Sequence, residues 1–130
     1  MADYTVFVSH SSKDRWIARQ VAGLIEERGA QTFLDEKDIQ GGDLIPREIQ
    51  QSIQGCDELL VLMSPYSVDR PWVLIEIGAA WGLDKKVVPI IDKITPDQMP
   101  DLLEHHKAID LNDLSAYLAE LESRATEAPS

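Results

Sequence analysis

A chain of 130 residues, 44% hydrophobic and 27% charged, has the length and composition of one globular domain, which sets aside a disordered or membrane-embedded protein. The formal net charge of −11 and pI ≈ 4.5 argue against the basic stripe a nucleic-acid surface needs, so no nucleic-acid partner is expected. There is no charged-then-apolar leader, and the apolar runs fall short of the roughly 18 residues of a membrane span, so a cytoplasmic domain without membrane contact is expected. The sole cysteine, Cys56, has neither a disulfide partner nor Cys or His neighbours at metal-ligand spacing; a quiet thiol, no metal and no cofactor are expected.

Residues 4–9 form a short β-branched and aromatic run without strict alternation, which suits a strand covered on both faces. Ser11 followed by Asp14 resembles a capping box and opens a helix with Ile17, Val21, Leu24 and Ile25 at helical spacing, ended by Gly29. Residues 30–34 are the second strand, and 35–43 are a polar, glycine-bearing loop. Pro46 suits the first turn of a helix that carries Ile45, Ile49 and Ile53 along one side and ends at Gly55. Residues 58–64 make the most hydrophobic strand, expected to be central.

Pro71 begins the next helix, capped by Asp69 or Arg70 and running to about Leu83, and its faces are nearly all apolar, the pattern of a helix buried on most sides. A fourth strand spans 86–92, where Pro89 points to the sheet margin or a bulge. A short helix capped at Thr95 and Pro96, a weak fifth strand at 108–111 and an amphipathic helix marked by Leu114, Leu118 and Leu121 complete a domain expected over 1–125, with 126–130 as a tail or the start of a linker.

Strands alternating with helices at this spacing give an α/β fold, a parallel sheet with helices on both faces. Ligands in such sheets sit beyond the carboxyl ends of the strands, near the point where strand order switches. Those ends carry Ser9, His10 and Ser11 after the first strand, Asp35 after the second and Ser64 after the third. The apolar helix adds Glu76, with Trp72 one turn earlier on the same face. A lone carboxylate there is either paired with Arg70, Arg47 or Arg15, with Trp72 as core, or it faces a cleft. Arg15, Lys37, Arg47 and Arg70 are the cations near these segments that could hold a phosphate, against the reading of solvated surface charges.

The residues exclude some chemistries. A phosphoryl-accepting receiver needs acidic residues after the first strand, and a phosphate cradle needs glycines or Gly-Lys-Ser/Thr there; Ser9-His-Ser-Ser-Lys-Asp14 offers neither. Ser9 and His10 adjoin with no third group to complete a triad. One carboxylate beside an aromatic plate does suit cleavage of an N-ribosyl bond with a cationic leaving group. Breaking the nicotinamide–ribose bond of NAD builds oxocarbenium character, and nicotinamide departs neutral, so no second carboxylic acid is required.

Three stretches together resemble the Toll/interleukin-1 receptor (TIR) domains, bacterial members above all: Val6-Phe-Val-Ser-His-Ser-Ser-Lys-Asp14, residues 35–46 as the so-called BB loop, and Ser64-Pro-Tyr-Ser67 followed by Trp72-Val-Leu-Ile-Glu76. The resemblance spans residues 4–124 and implies a flavodoxin-like five-stranded domain. For members with the Trp-x-x-x-Glu pattern it implies NAD glycohydrolase or cyclase activity in bacterial defence or signalling. Glu76 would then be catalytic, Trp72 a wall of the nicotinamide-ribose pocket, Ser9 and Ser64 its floor and Asp35 its border, with NAD as substrate rather than cofactor. It also implies head-to-tail assembly with other TIR domains through the BB loop, here Asp38, Gly41, Gly42 and Pro46, the glycines supplying backbone angles others resist. Two readings stay open beside this one: a non-catalytic module for homotypic TIR contacts, and a deoxyribosyltransferase-like enzyme.

Overall fold

The structure, a computed structural model, describes residues 4–34 and 47–127. Five strands, β1 (Thr5–Ser9), β2 (Gln31–Leu34), β3 (Glu58–Met63), β4 (Lys86–Ile91) and β5 (Ile109–Asp110), form one parallel sheet in the order β2-β1-β3-β4-β5. Four α-helices are described: α1 (Arg15–Glu27), α2 (Arg47–Gly55), α3 (Pro71–Gly82) and α4 (Leu114–Glu127). The expected loop with Asp35, Lys37, Asp38, Gly41 and Gly42, the helix start at Ile45 and Pro46, and residues 128–130 lie outside the described residues.

Strand alternation divides the core in two. Phe7, Leu59, Val61, Met63 and Val87 face α2 and α3, whereas Val6, Val8, Leu60, Leu62 and Ile90 face α1 and α4. β3 is buried at all six positions and lies mid-sheet, so its continuous apolar run has both faces to fill. Pro89 pairs with Val61 on the β3 side, while β5 reaches only Ile90 and Ile91 on the other. The missing proline N–H therefore falls beside the sheet margin.

Several local expectations are refined. The Ser11 hydroxyl donates to the Asp14 carboxylate at 3.0 Å instead of capping backbone, and a 3-10 turn at Ser12–Asp14 precedes α1. Gly29 follows α1 with φ +91°, and its N–H donates to the Glu26 carbonyl, the left-handed exit glycine allows. The helix expected at Thr95 and Pro96 is a single 3-10 turn, Pro96–Gln98. α4 continues through Glu127, so Thr126 belongs to the helix, its hydroxyl donating to the Glu122 carbonyl.

Arg70 is the N-cap residue of α3 and Pro71 its first helical residue. At the other end Lys85 N–H donates to the Ala80 carbonyl and Asp84 N–H to that of Trp81, with Asp84 at φ +58°. That is a Schellman closure with aspartate where glycine is favoured. The helix is not buried on most sides, contrary to its apolar pattern. Trp72, Val73, Ile77 and Ala80 are covered, but Ile75, Trp81 and Leu83 are 39%, 65% and 45% exposed, because the sheet and α2 reach only part of its circumference.

The amino-terminal pole is tied by Glu58, whose side chain faces α4 and is fully buried. It accepts from Tyr4 Oη at 2.6 Å, Tyr117 Oη at 2.7 Å, Arg124 Nε at 2.8 Å and Arg124 Nη2 at 3.0 Å. Burial, then the neighbouring Glu58, pushes both phenols up; burial works against the Arg124 charge, but its bonds to Glu58 hold its pKa above the ordinary value.

Candidate active site at the carboxyl edge of the sheet

The strand order places its switch point between β1 and β3, and the polar residues that follow these strands gather there. Ser9 shares the parity of Phe7, so it faces α3. Its hydroxyl donates to Glu76 Oε1 at 2.6 Å, with both side chains buried, Glu76 only 1% exposed. Trp72 lies one turn before Glu76 and is itself buried. It belongs to the core cluster and also to the wall of a cavity, so the core and pocket readings of this residue are not exclusive.

That cavity, 360 Å3, runs between α2 and α3. Ile49, Ile53, Ile75, Ala79 and Leu83 make it apolar, Gln50 and Gln54 add amides, and Glu76 supplies the carboxylate. Its size lies within the range of small-molecule sites, and its few polar groups suit orientation of a flat, largely apolar ring. A carboxylate fixed by a hydroxyl in such surroundings acts through a poorly screened field, so its effect on a developing positive charge is amplified.

The other expected residues share the edge but do not line this cavity. Ser64 Oγ donates to Asp14 Oδ2 at 2.6 Å and accepts from the Tyr66 N–H at 3.1 Å. Its hydroxyl is thereby committed to holding the turn after β3. His10 is 3% exposed, its Nδ1 2.8 Å from the Ser11 carbonyl and its Nε2 without a hydrogen-bond partner among the described residues. Arg70 Nε donates to the Tyr66 carbonyl at 3.0 Å, and Arg47 is exposed. Asp35 and Lys37 lie outside the described residues. Among those residues no group of three His, Cys, Asp or Glu could hold a metal ion.

Asp14 is the residue the sequence reading undervalued. Buried to 4% exposure, it takes the hydroxyls of Ser11 and Ser64 on one oxygen and so joins the ends of β1 and β3. The available signal was a serine after each of two strands with one aspartate able to serve both. Ser67 completes the turn, donating to the Leu62 carbonyl at 2.6 Å and accepting from the Ser64 N–H at 2.8 Å.

Known proteins share this architecture. The TIR domain of the Toll-related receptor TRR-2 from Hydra magnipapillata superposes with a TM-score of 0.70 at 21% identity, over 92% of this chain and 94% of that one. A metazoan TIR-STING receptor from C. gigas in complex with 2′,3′-cGAMP gives 0.71 at 21% identity, over 91% of this chain and 39% of that one. At these identities the likeness is one of fold. In sequence, the chain is 28% identical over 101 residues to the 2′ cyclic ADP-D-ribose synthase BtTIR of Bacteroides thetaiotaomicron, covering 74% of this chain and 35% of that protein. It is 24% identical over 104 residues to the 2′ cyclic ADP-D-ribose synthase AbTIR of Acinetobacter baumannii (strain 1295743), covering 76% of this chain and 39% of that protein. The chain thus spans well under half the length of either relative. A family model for the TIR domain matches residues 6–124, nearly the whole described fold, and the chain belongs to the TIR domain family.

Proposed function

We propose that this TIR domain cleaves the nicotinamide–ribose bond of NAD, with Glu76 as the catalytic residue and Trp72 as a wall of the site. The observation that carries the reading is the Ser9–Glu76 pair at 2.6 Å, which holds a buried carboxylate on the wall of an apolar cavity beside an indole. Two bacterial relatives that are 2′ cyclic ADP-D-ribose synthases by name support it.

In the reaction the C1′–N bond breaks and its electron pair passes to the nicotinamide nitrogen, which leaves neutral. Positive charge develops over C1′ and the ring oxygen, and the Glu76 carboxylate stabilises it. Water then attacks C1′ and loses a proton, giving ADP-ribose. A hydroxyl of the same molecule attacking instead gives a cyclic isomer. Ser9 keeps the carboxylate aimed; Trp72 and the α2 isoleucines exclude water from the departing ring. The exposed apolar side chains of Ile75, Trp81 and Leu83 support activity on self-association, and NAD as substrate suits a cytoplasmic role in bacterial defence or signalling. The same exposed side chains favour one second reading, a non-catalytic module for homotypic TIR contacts.

Nicotinamide release from NAD, measured at high protein concentration for wild type and Glu76→Gln, separates the two. Release by the wild type and a loss of at least about 100-fold in the variant is expected, the scale of removing a main electrostatic contributor. Equal rates in the two folded proteins would falsify the catalytic assignment, and no release by the wild type at any concentration would favour the interaction module.

A further inference from the structure

A second cavity, of 470 Å3, lies at the amino-terminal end of β4, away from Glu76. In a chain of net charge −11 its lining is unexpectedly basic: Lys86, Lys107, Arg124, His105 and His106, with Glu120 the one acidic lining residue described. Three of the chain's twelve lysines and arginines and two of its three histidines thus border one concavity. Scattered surface cations need no explanation, but cations converging on a hollow in a strongly acidic molecule do.

Not all of that charge is available. Arg124 is committed to Glu58 through Nε and Nη2, and His105 Nε2 lies 3.4 Å from Glu104 Oε1. Lys86 and Lys107 are exposed, and among the described residues no carboxylate is ion-paired with either. Two further features border the cavity. His106 Nδ1 is buried with no hydrogen-bond partner among the described residues, a costly arrangement unless something else binds there. The edge of β4 is also uncovered over its first half, since β5 pairs only with Ile90 and Ile91, and Lys86, Val87 and Val88 of that edge line the cavity. Its outward backbone groups have no strand to bond.

We propose that this cavity binds a phosphate-bearing small molecule, with Lys86 and Lys107 meeting the charge and the His106 imidazole and the β4 edge giving hydrogen bonds. Two exposed lysines on the lining of one hollow suit a compact, multiply charged oxyanion, and the volume leaves room for a nucleoside beside the phosphate. The site is independent of Glu76, so its test does not depend on NAD cleavage.

The experiment is a 1H–15N NMR titration of the intact chain with inorganic phosphate and, separately, with AMP at constant ionic strength, with sodium chloride as control. Saturable shifts centred on Lys86, Val87, His106 and Lys107 are expected. The double variant Lys86→Gln/Lys107→Gln, at two exposed positions that leave the core untouched, should weaken binding by at least about 10-fold. His106→Phe should weaken it independently, and Glu76→Gln should leave it unchanged. Tighter binding of AMP supports a nucleotide; saturation by phosphate alone supports a free oxyanion. Shifts matched by chloride, absence of saturation by both probes up to about 20 mM, or affinity indifferent to the lysine pair overturns the proposal.

Discussion

Replacing Glu58 by glutamine keeps the shape of the side chain while removing its charge and one of its two acceptor oxygens. The carboxylate receives four hydrogen bonds, two of them from Arg124, whose side chain is 25% exposed. In Glu58→Gln the new NH2 group faces donors, and the guanidinium is left without a counter-charge. Breaking a buried ion pair from one side costs about 3–5 kcal/mol, and the partial exposure of Arg124 argues for the lower end, about 3 kcal/mol. Tyr117→Phe leaves the ion pair intact and deletes one bond to a charged acceptor, about 1.5 kcal/mol. Urea unfolding followed by far-UV circular dichroism reads both. With a slope of about 2 kcal/mol/M for a domain of this size, the midpoint should fall by about 1.5 M for Glu58→Gln and about 0.7 M for Tyr117→Phe. A glutamine shift no larger than the phenylalanine shift would mean that the charge contributes nothing, and the reasoning would fail.

Burial pushes the Cys56 thiol up to about 11, and its Sγ–H donates to the Ile53 carbonyl at 3.1 Å. At pH 8 an aromatic disulfide reagent should therefore modify the native protein at least about 100-fold more slowly than the urea-unfolded one; comparable rates would contradict this. The folded state prefers the neutral thiol, so this stability is full below the ordinary thiol value of 9.0 and is lost as pH rises towards 11, by about 3 kcal/mol. Tyr4 and Tyr117, also pushed up, add loss in the same direction above pH 10.0, and a urea midpoint that rose between pH 9 and 11 would refute the sign. Asp84→Gly, which relieves a left-handed residue in the α3 closure, should stabilise by about 0.5–1 kcal/mol and raise Tm by a few degrees in calorimetry; a lowered Tm would count against strain there. Trp81→Ser should weaken self-association by at least about 10-fold in sedimentation or light scattering, and unchanged association would remove α3 from the interface.

Much of the architecture was legible because periodicity reports burial directly. The apolar run of β3 announced a strand covered on both faces, Pro71 and Gly29 marked helix ends, and Pro89 placed β4 near the margin. The outer face of α3 misled the reading for a physical reason: hydropathy records what a helix could bury, not what the rest of the chain reaches. Ser9, Trp72 and Glu76 were legible as neighbours because strand ends and one helical turn fix them locally. That Ser64 and Ser11 share Asp14 was not, since a hydroxyl's choice between a ligand and a carboxylate 50 residues away depends on atomic placement. The Glu58 tie and the basic cavity escaped for a related reason, each drawing on segments far apart in sequence.

Ile75 of α3 and Leu83 at its C-cap have two memberships, in the wall of the Glu76 cavity and among the exposed apolar side chains. A contact on those side chains and occupancy of that cavity would therefore act on the same two groups, and would be linked to the extent that each orders them. A ligand that orders them inside leaves less conformational entropy for a contacting surface to remove, and the reverse holds by the same factor. A partner docking there would need no separate relay to reach the site, because Ile75 and Leu83 are already part of its wall.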